Sequence, residues 1–341
     1  MRTSRGAIHT LAAVLTTVAA IGARATLAAS QDTRALVIVG LGGTEEYRRE
    51  FAALADDLHG ALTGKLGVAA GNAVVLAERP EDLPGVARDR STLEAIRSAL
   101  SSLARASGPE DRLLVVLIGH GTSQGEEGRF NLPGPDLSAD ELDLALTPFT
   151  TQTVAVVHAG SAGGGFVAAL AGPRRIVLSA TRSARERNAT EFARYFVESL
   201  SGEGADLDKD GAVSLLEAFT YTRAEVARHY AEEKELLTEH AVLEDDGDGE
   251  GSPDPGASAA DGRLADTFRF TASAVGRAAT TDDPVLAKLY GDRQQIQGRI
   301  DGLRGQRGTM SQEAYDEALE ALLVELALKT REIRAREGGG S

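Results

Sequence analysis

Twelve consecutive residues carry the densest chemistry in the chain: Asp206-Leu207-Asp208-Lys209-Asp210-Gly211-Ala212-Val213-Ser214-Leu215-Leu216-Glu217. Carboxylates at the first, third and fifth positions, glycine at the sixth, the carbonyl of Ala212 at the seventh, Ser214 at the ninth and Glu217 at the twelfth form the oxygen set that wraps one hard divalent cation. Flexible oxygen donors in this number favour calcium over magnesium, and carboxylates this close repel one another unless a cation sits among them. Asp206, Asp208, Asp210, Ala212, Ser214 and Glu217 are therefore the expected calcium ligands. A second stretch, Asp246-Gly247-Asp248-Gly249-Glu250-Gly251, repeats the first six positions. Counted from Asp246 its twelfth residue is Ala257, which cannot ligate, so it reads as an acidic loop, with weak calcium binding as the alternative.

A different chemistry is suggested where two apolar runs end. Leu113 to Ile118 leads into Gly119-His120-Gly121, and Val154 to Val157 leads into His158-Ala159-Gly160-Ser161-Ala162-Gly163. Histidine is the side chain suited to proton transfer near neutral pH, and a serine within reach of one can become a nucleophile. His120 as base and Ser161 as nucleophile form one candidate pair. His158 near His120 would make a metal pair, but no patterned carboxylate accompanies them. Gly40-Leu41-Gly42-Gly43 after the first strand lacks the lysine and the spacing of a phosphate loop.

These residues need a frame. Short apolar runs bounded by glycine read as strands buried on both faces; they are expected at Arg34 to Leu41, Asn72 to Ala77, 113–118, 154–157, Arg174 to Ala180 and Leu264 to Thr271. Helical patterns fall between them, at Glu45 to Leu62, Ser91 to Arg105 with Ser91 as N-cap, Ser138 to Leu146, Gly165 to Leu170 and Ala189 to Leu200, and Ser214 to Glu233 follows the calcium loop. Strands separated by helices predict an α/β fold, a mostly parallel sheet covered on both faces, with ligands beyond the carboxyl ends of the strands. Residues 245–262 read as a long loop. Beyond 280, Leu286, Leu289, Ile296, Ile300 and Leu303, then Tyr315, Leu319, Leu322, Leu326 and Ile333, recur at helical spacing and predict an α-helical hairpin with coiled-coil seams over 281–336. A flexible tail at 337–341 follows.

Composition narrows the partners. The 341 residues carry 36 Lys and Arg against 51 Asp and Glu, a net charge of −15, and no cysteine. Such a surface repels nucleic acid and anionic membranes and attracts cations. Residues 1–29 hold Arg2 and Arg5, an apolar stretch from Ala7 to Gly22 and small residues up to Ala29, the pattern of a cleavable signal peptide. The apolar stretch falls short of a membrane span, so the expectation is export to the periplasm or exterior with no membrane attachment after cleavage. Without cysteine, stability outside the cell rests on packing and metal.

An apolar block ending in His-Gly, followed by an apolar block ending in Ala-Gly-Ser, resembles the legumain and caspase clan of cysteine peptidases, in which the second block ends in Ala-Cys. The resemblance extends from about Arg34 to Ala272 and includes Phe130-Asn131-Leu132-Pro133-Gly134-Pro135-Asp136-Leu137 and Asn188 to Phe196, which look like the bacterial legumain-like branch. The segment 206–217 resembles a single EF-hand loop within that domain, placed at 33–275. The resemblance implies a caspase-like α/β/α sandwich, His120 as general base, the Gly121 N–H as oxyanion donor, and Arg48 of Tyr47-Arg48 together with Glu186 as substrate-binding residues. It puts the nucleophile at Gly160, which has no side chain to attack with. Ser161 lies one residue further, and in an extended strand that turns a side chain to the opposite face. The expected function is therefore a calcium-binding pseudopeptidase that binds or regulates a peptide or protein partner. Two alternatives stand beside it: a hydrolase using Ser161 with His120, and an adaptor that self-associates through its C-terminal helices.

Overall fold

The computed structural model describes residues 31–202, 204–271, 283–305 and 311–338. The expected signal peptide at 1–29 lies outside the described residues. The core is a seven-stranded sheet in the order β11-β9-β8-β4-β1-β2-β3. Its strands are β1 (Thr33–Val39), β2 (Ala73–Ala77), β3 (Ala87–Arg90), β4 (Arg112–Ile118), β8 (Thr153–His158), β9 (Arg175–Ser179) and β11 (Val242–Glu244). Every neighbouring pair is parallel except β11 on β9, which is antiparallel. A second, three-stranded antiparallel sheet follows β4: β5 (Gly121–Gln124), β6 (Glu127–Phe130) and β7 (Leu137–Ser138). β10 (Ala212–Ser214) pairs antiparallel with β12 (Arg269–Thr271).

Helices cover both faces. Leu114, Val116 and Ile118 of β4 pack with Phe51, Ala55 and Leu58 of α1 (Glu45–Gly60), and the same cluster holds Phe192 and Phe196 of α5 (Phe192–Ser201) and Phe219 of α6 (Leu215–Glu233). Leu113, Val115 and Leu117 point the other way, toward Ile96 and Leu100 of α2 (Leu93–Ala106), Leu142 of α3 (Ala139–Leu146) and Val167 and Leu170 of α4 (Val167–Leu170). Successive strand residues thus feed two separate cores, which is why the sequence runs are continuously apolar.

Several expectations need correction. Thr92, not Ser91, caps α2, accepting the Ala95 N–H at 3.2 Å; Ser91 is buried and donates to the Val39 carbonyl at 2.6 Å. Leu264 to Thr271 is not one strand. It is a short helix, α7 (Arg263–Thr267), followed by β12, because Asp245 captures the N–H groups of Gly262 and Ala265 at 2.8 and 2.7 Å and turns the chain. The C-terminal hairpin forms from helices Pro284–Gly305 and Gln312–Gly338. Its second arm runs two residues into the expected tail. Ile296 and Ile300 bury against Leu322 and Leu326, and Tyr290 packs on Ile333. Among the described residues, no helix is long and apolar enough to cross a membrane.

Candidate functional site

Sheet register decides which of the candidate residues can meet. Leu117 of β4 pairs in parallel with His158 of β8, so the two side chains share a face, that of α2 and α4. His158 is fully buried there between Phe130 and Phe166, with ring centroids 5.5 and 4.7 Å away. Neither of its ring nitrogens meets a hydrogen-bond partner. Burial drives its pKa down to about 4, opposed by the nearby backbone of Gly160 and of His158 itself, so the ring is neutral at pH 7. His120 lies on the other face. Its ring sits against Tyr47 at 4.6 Å and Phe51 at 5.0 Å, both edge-on, on α1. The two histidines are held apart by the sheet and do not form a metal pair.

His120 lines a cavity of about 220 Å³ whose wall includes Tyr47, Phe51, Ala159 and Thr190, with Glu46, Glu50 and Glu191 among its residues. Partial burial lowers the His120 pKa, so it too is a neutral imidazole at pH 7. Burial raises the Glu50 carboxyl, and the charges of Glu191 and Glu46 add to the rise against the pull of Arg194. The cavity is therefore small, walled in part by aromatic rings and bordered by acids. A chain segment bearing a cation is the ligand such a lining favours.

The end of β8 is closed against β4. A Cβ built on Gly160 would stand 1.9 Å from the Gly119 carbonyl oxygen and 3.0 Å from its carbon. No side chain fits there unless the two strand ends separate. The Ser161 hydroxyl, 1% exposed, accepts the Gly121 N–H and donates to the Gly121 carbonyl, each at 3.1 Å. The Gly121 N–H that the resemblance assigns to an oxyanion is thus engaged by Ser161. A Cβ on Gly121 would meet the Ser161 carbonyl oxygen at 2.2 Å, so the backbones of the two loops touch.

Arg48 and Glu186 lie elsewhere. Arg48 pairs with Asp82 and with Glu45, its Nε donating to Glu45 at 3.2 Å, and borders a different hollow with Arg49 and Leu83. Glu186 accepts the His240 N–H at 3.0 Å and contacts His240 Nδ1 at 2.9 Å, while its carbonyl receives the Ala162 N–H at 2.7 Å. It ties the Gly-rich loop to the segment before β11. Neither residue lines the His120 cavity.

The acidic loop brings three of its six expected ligands together. One carboxylate oxygen from each of Asp206, Asp208 and Glu217 lies within 4.8 Å of the other two. Glu217 accepts the N–H groups of Leu207 and Asp208 through Oε1 at 2.9 and 3.2 Å. Through Oε2 it accepts the Ser214 N–H at 2.8 Å, closing a capping box on α6. Asp206 Oδ2 accepts the Gly211 N–H at 3.1 Å, and its buried Oδ1 has no hydrogen-bond partner. Burial raises the Asp206 carboxyl, against the pull of the Gly211 N–H. A buried oxygen left without a donor on one of three clustered carboxylates fits a cation. Asp210 departs from the expected set: its Oδ1 accepts the Ala212 N–H at 2.9 Å and its Oδ2 is paired with the buried Arg269. Arg269 also reaches Asp266 at 3.0 Å. Spacing alone did not reveal this arginine, which arrives from a strand 59 residues away.

Compared with models of known protein families the chain matches none, and no curated protein matches it.

Proposed function

We propose that this is an exported, calcium-binding domain of caspase-like architecture, a legumain-like pseudopeptidase that binds a peptide or protein partner without cleaving it. The observation that carries the reading is the 1.9 Å approach of a Gly160 Cβ to the Gly119 carbonyl oxygen. The position the resemblance assigns to the nucleophile is filled by backbone. The Ser161 hydroxyl is committed to Gly121 and does not replace it. What is left open is the His120 cavity, whose acidic border favours a lysine or arginine side chain. Calcium at Asp206, Asp208 and Glu217 would hold the start of α6 to the end of α5; its chemistry here is charge neutralisation and cross-linking of the fold.

The test is incubation of the calcium-loaded protein with a diverse peptide library, read for retention and for cleavage. Retention of basic peptides, reduced in His120→Ala, without new termini, is the expected result. Turnover that His120→Ala abolishes would overturn the reading, as would labelling of Ser161 by a fluorophosphonate.

One observation favours an adaptor role in addition. Val324 and Leu328, one turn apart on the second arm of the hairpin, are 54% and 50% exposed, an apolar strip suited to a coiled-coil contact with a second copy. Removal of 281–341 should then leave a folded domain that sediments as a monomer where the full chain associates. Unchanged association would exclude this role.

A further inference from the structure

We propose that Glu244, Asp246 and Asp261 form a second calcium site, in a register that begins at Glu244 and not at Asp246. One carboxylate oxygen from each of the three lies within 4.8 Å of the other two. The decisive group is Glu244. The residue is 0% exposed, its Oε1 accepts the Gly247 N–H at 2.6 Å and the Gly249 N–H at 3.4 Å, and its Oε2 is buried with no hydrogen-bond partner. A carboxylate oxygen brought into the interior without a donor is unfavourable unless a cation or a proton takes its lone pairs. The charges acting on Glu244 are those of Asp261 and Asp246, the same sign as its own.

The turn repeats that of the first loop, position for position. There the first carboxylate accepts the N–H of the sixth residue, the third that of the fifth, and the fifth that of the seventh, at 3.1, 3.0 and 2.9 Å. Counted from Glu244, the same three bonds run Gly249 to Glu244, Asp248 to Asp246 and Glu250 to Asp248, at 3.4, 3.0 and 2.7 Å. The sixth residue is a glycine with φ of 88° in one loop and 82° in the other. These turns fix where the loop begins, while the unpaired buried oxygen is what points to an ion. The twelfth residue in this register is Pro255, which cannot ligate. Asp261 takes its place, delivered from outside the loop by the clip in which the Asp245 N–H donates to Asp261 Oδ1 at 2.9 Å and the Asp245 carboxylate holds Gly262 and Ala265. Three carboxylates with room for carbonyls and water suit calcium, which tolerates an irregular oxygen shell.

The inference does not depend on the loop at 206–217, and the two separate in one measurement. Equilibrium dialysis of the full chain against calcium alone, after chelation and near neutral pH, gives equivalents bound. Wild type should bind two. Glu217→Gln should keep one, and adding Asp246→Asn should remove it. Asp246 is exposed, and the amide oxygen of an asparagine there still accepts the Asp248 N–H, so this variant keeps the turn without disturbing the buried Glu244. A wild-type chain that binds one equivalent, lost on Asp246→Asn and kept on Glu217→Gln, supports this site and removes the other. Asp246→Asn and a folded Glu244→Gln that both bind as much calcium as wild type would overturn the proposal, as would a wild-type chain that binds none.

Discussion

Gly160→Ala is the smallest change that tests the closed strand end. The new methyl meets the Gly119 carbonyl oxygen at 1.9 Å and its carbon at 3.0 Å, and its neighbours are backbone on both sides, Gly119 just past β4 and the Ser161–Gly121 contact next to it. No flexible side chain can yield, so the strand ends must part. Overpacking a core with a methylene costs about 1–3 kcal/mol, and the loss of one Ser161–Gly121 hydrogen bond adds about 1 kcal/mol. At about 2–4 °C per kcal/mol for a domain of this size, the melting midpoint should fall by roughly 5–15 °C. Gly160→Cys should fall at least as far and gain no peptidase activity, because the thiol would sit where the two backbones now touch. Differential scanning calorimetry on wild type, Gly160→Ala and Gly160→Cys, each with a peptide-cleavage assay, is sufficient. A Gly160→Cys protein that melts with wild type, or that hydrolyses peptide with His120 dependence, would refute the steric argument.

Three further outcomes follow from the same structure. His158 takes up a proton at about pH 6.5 when unfolded and only at about 4 when folded, so the unfolded state binds more protons between these values and stability falls as the pH is lowered through them. His158→Leu should remove a pH-dependent loss of roughly 2 kcal/mol, read as the difference between melting curves at pH 7 and pH 4.5. Glu239, buried and accepting the N–H groups of Glu191 and Phe192 at 2.7 and 3.2 Å at the start of α5, has the opposite sign. Burial lifts its pKa to about 7, so the folded state binds the extra proton and stability is lost as the pH rises from about 4.5 through 7. Glu239→Gln should flatten that slope, by roughly 3 kcal/mol, and in wild type the two slopes offset each other. Glu217→Gln keeps a side chain able to close the capping box but removes a charge from the first loop. Its amide nitrogen must then face the Leu207 and Asp208 N–H groups, so its calcium-free melting point should fall by a few degrees, about 1 kcal/mol for the lost acceptor. The calcium-induced rise, about 2.7 kcal/mol at a hundredfold excess over Kd, should shrink, and an undiminished rise would count against that loop.

The parts of this fold that were legible are those where both faces of an element are buried. β1, β4 and β8 read as strands because each of their residues enters one core or the other. The hairpin arms read as helices because one stripe of each is apolar. β3, with Ala87-Arg88-Asp89-Arg90, carries no apolar signal because it has a neighbour on one side only. β11 is three residues long and is fixed by β9 and Ser252, not by its own composition. Within the candidate sites, ligand spacing in 206–217 was visible because every expected ligand is local. Arg269 on Asp210 and Asp261 beside Glu244 were not, since each contact closes across a long chain separation. The approach of Gly160 to Gly119 depends on the register of two strands, which no local pattern encodes. Arg48 and Glu186 carried the right residue types, but polar neighbours, Asp82 in one case and His240 in the other, claim them.

Both margins of the central sheet discourage further pairing, and by different means. On one side β3 offers a short strand studded with alternating charges, a poor template for a further strand. On the other, the outward groups of Leu243 are already bonded to Ser252, at 2.9 and 2.8 Å. Neither rim is a good template for an incoming strand, so the native protein should resist sheet extension and fibril formation when concentrated.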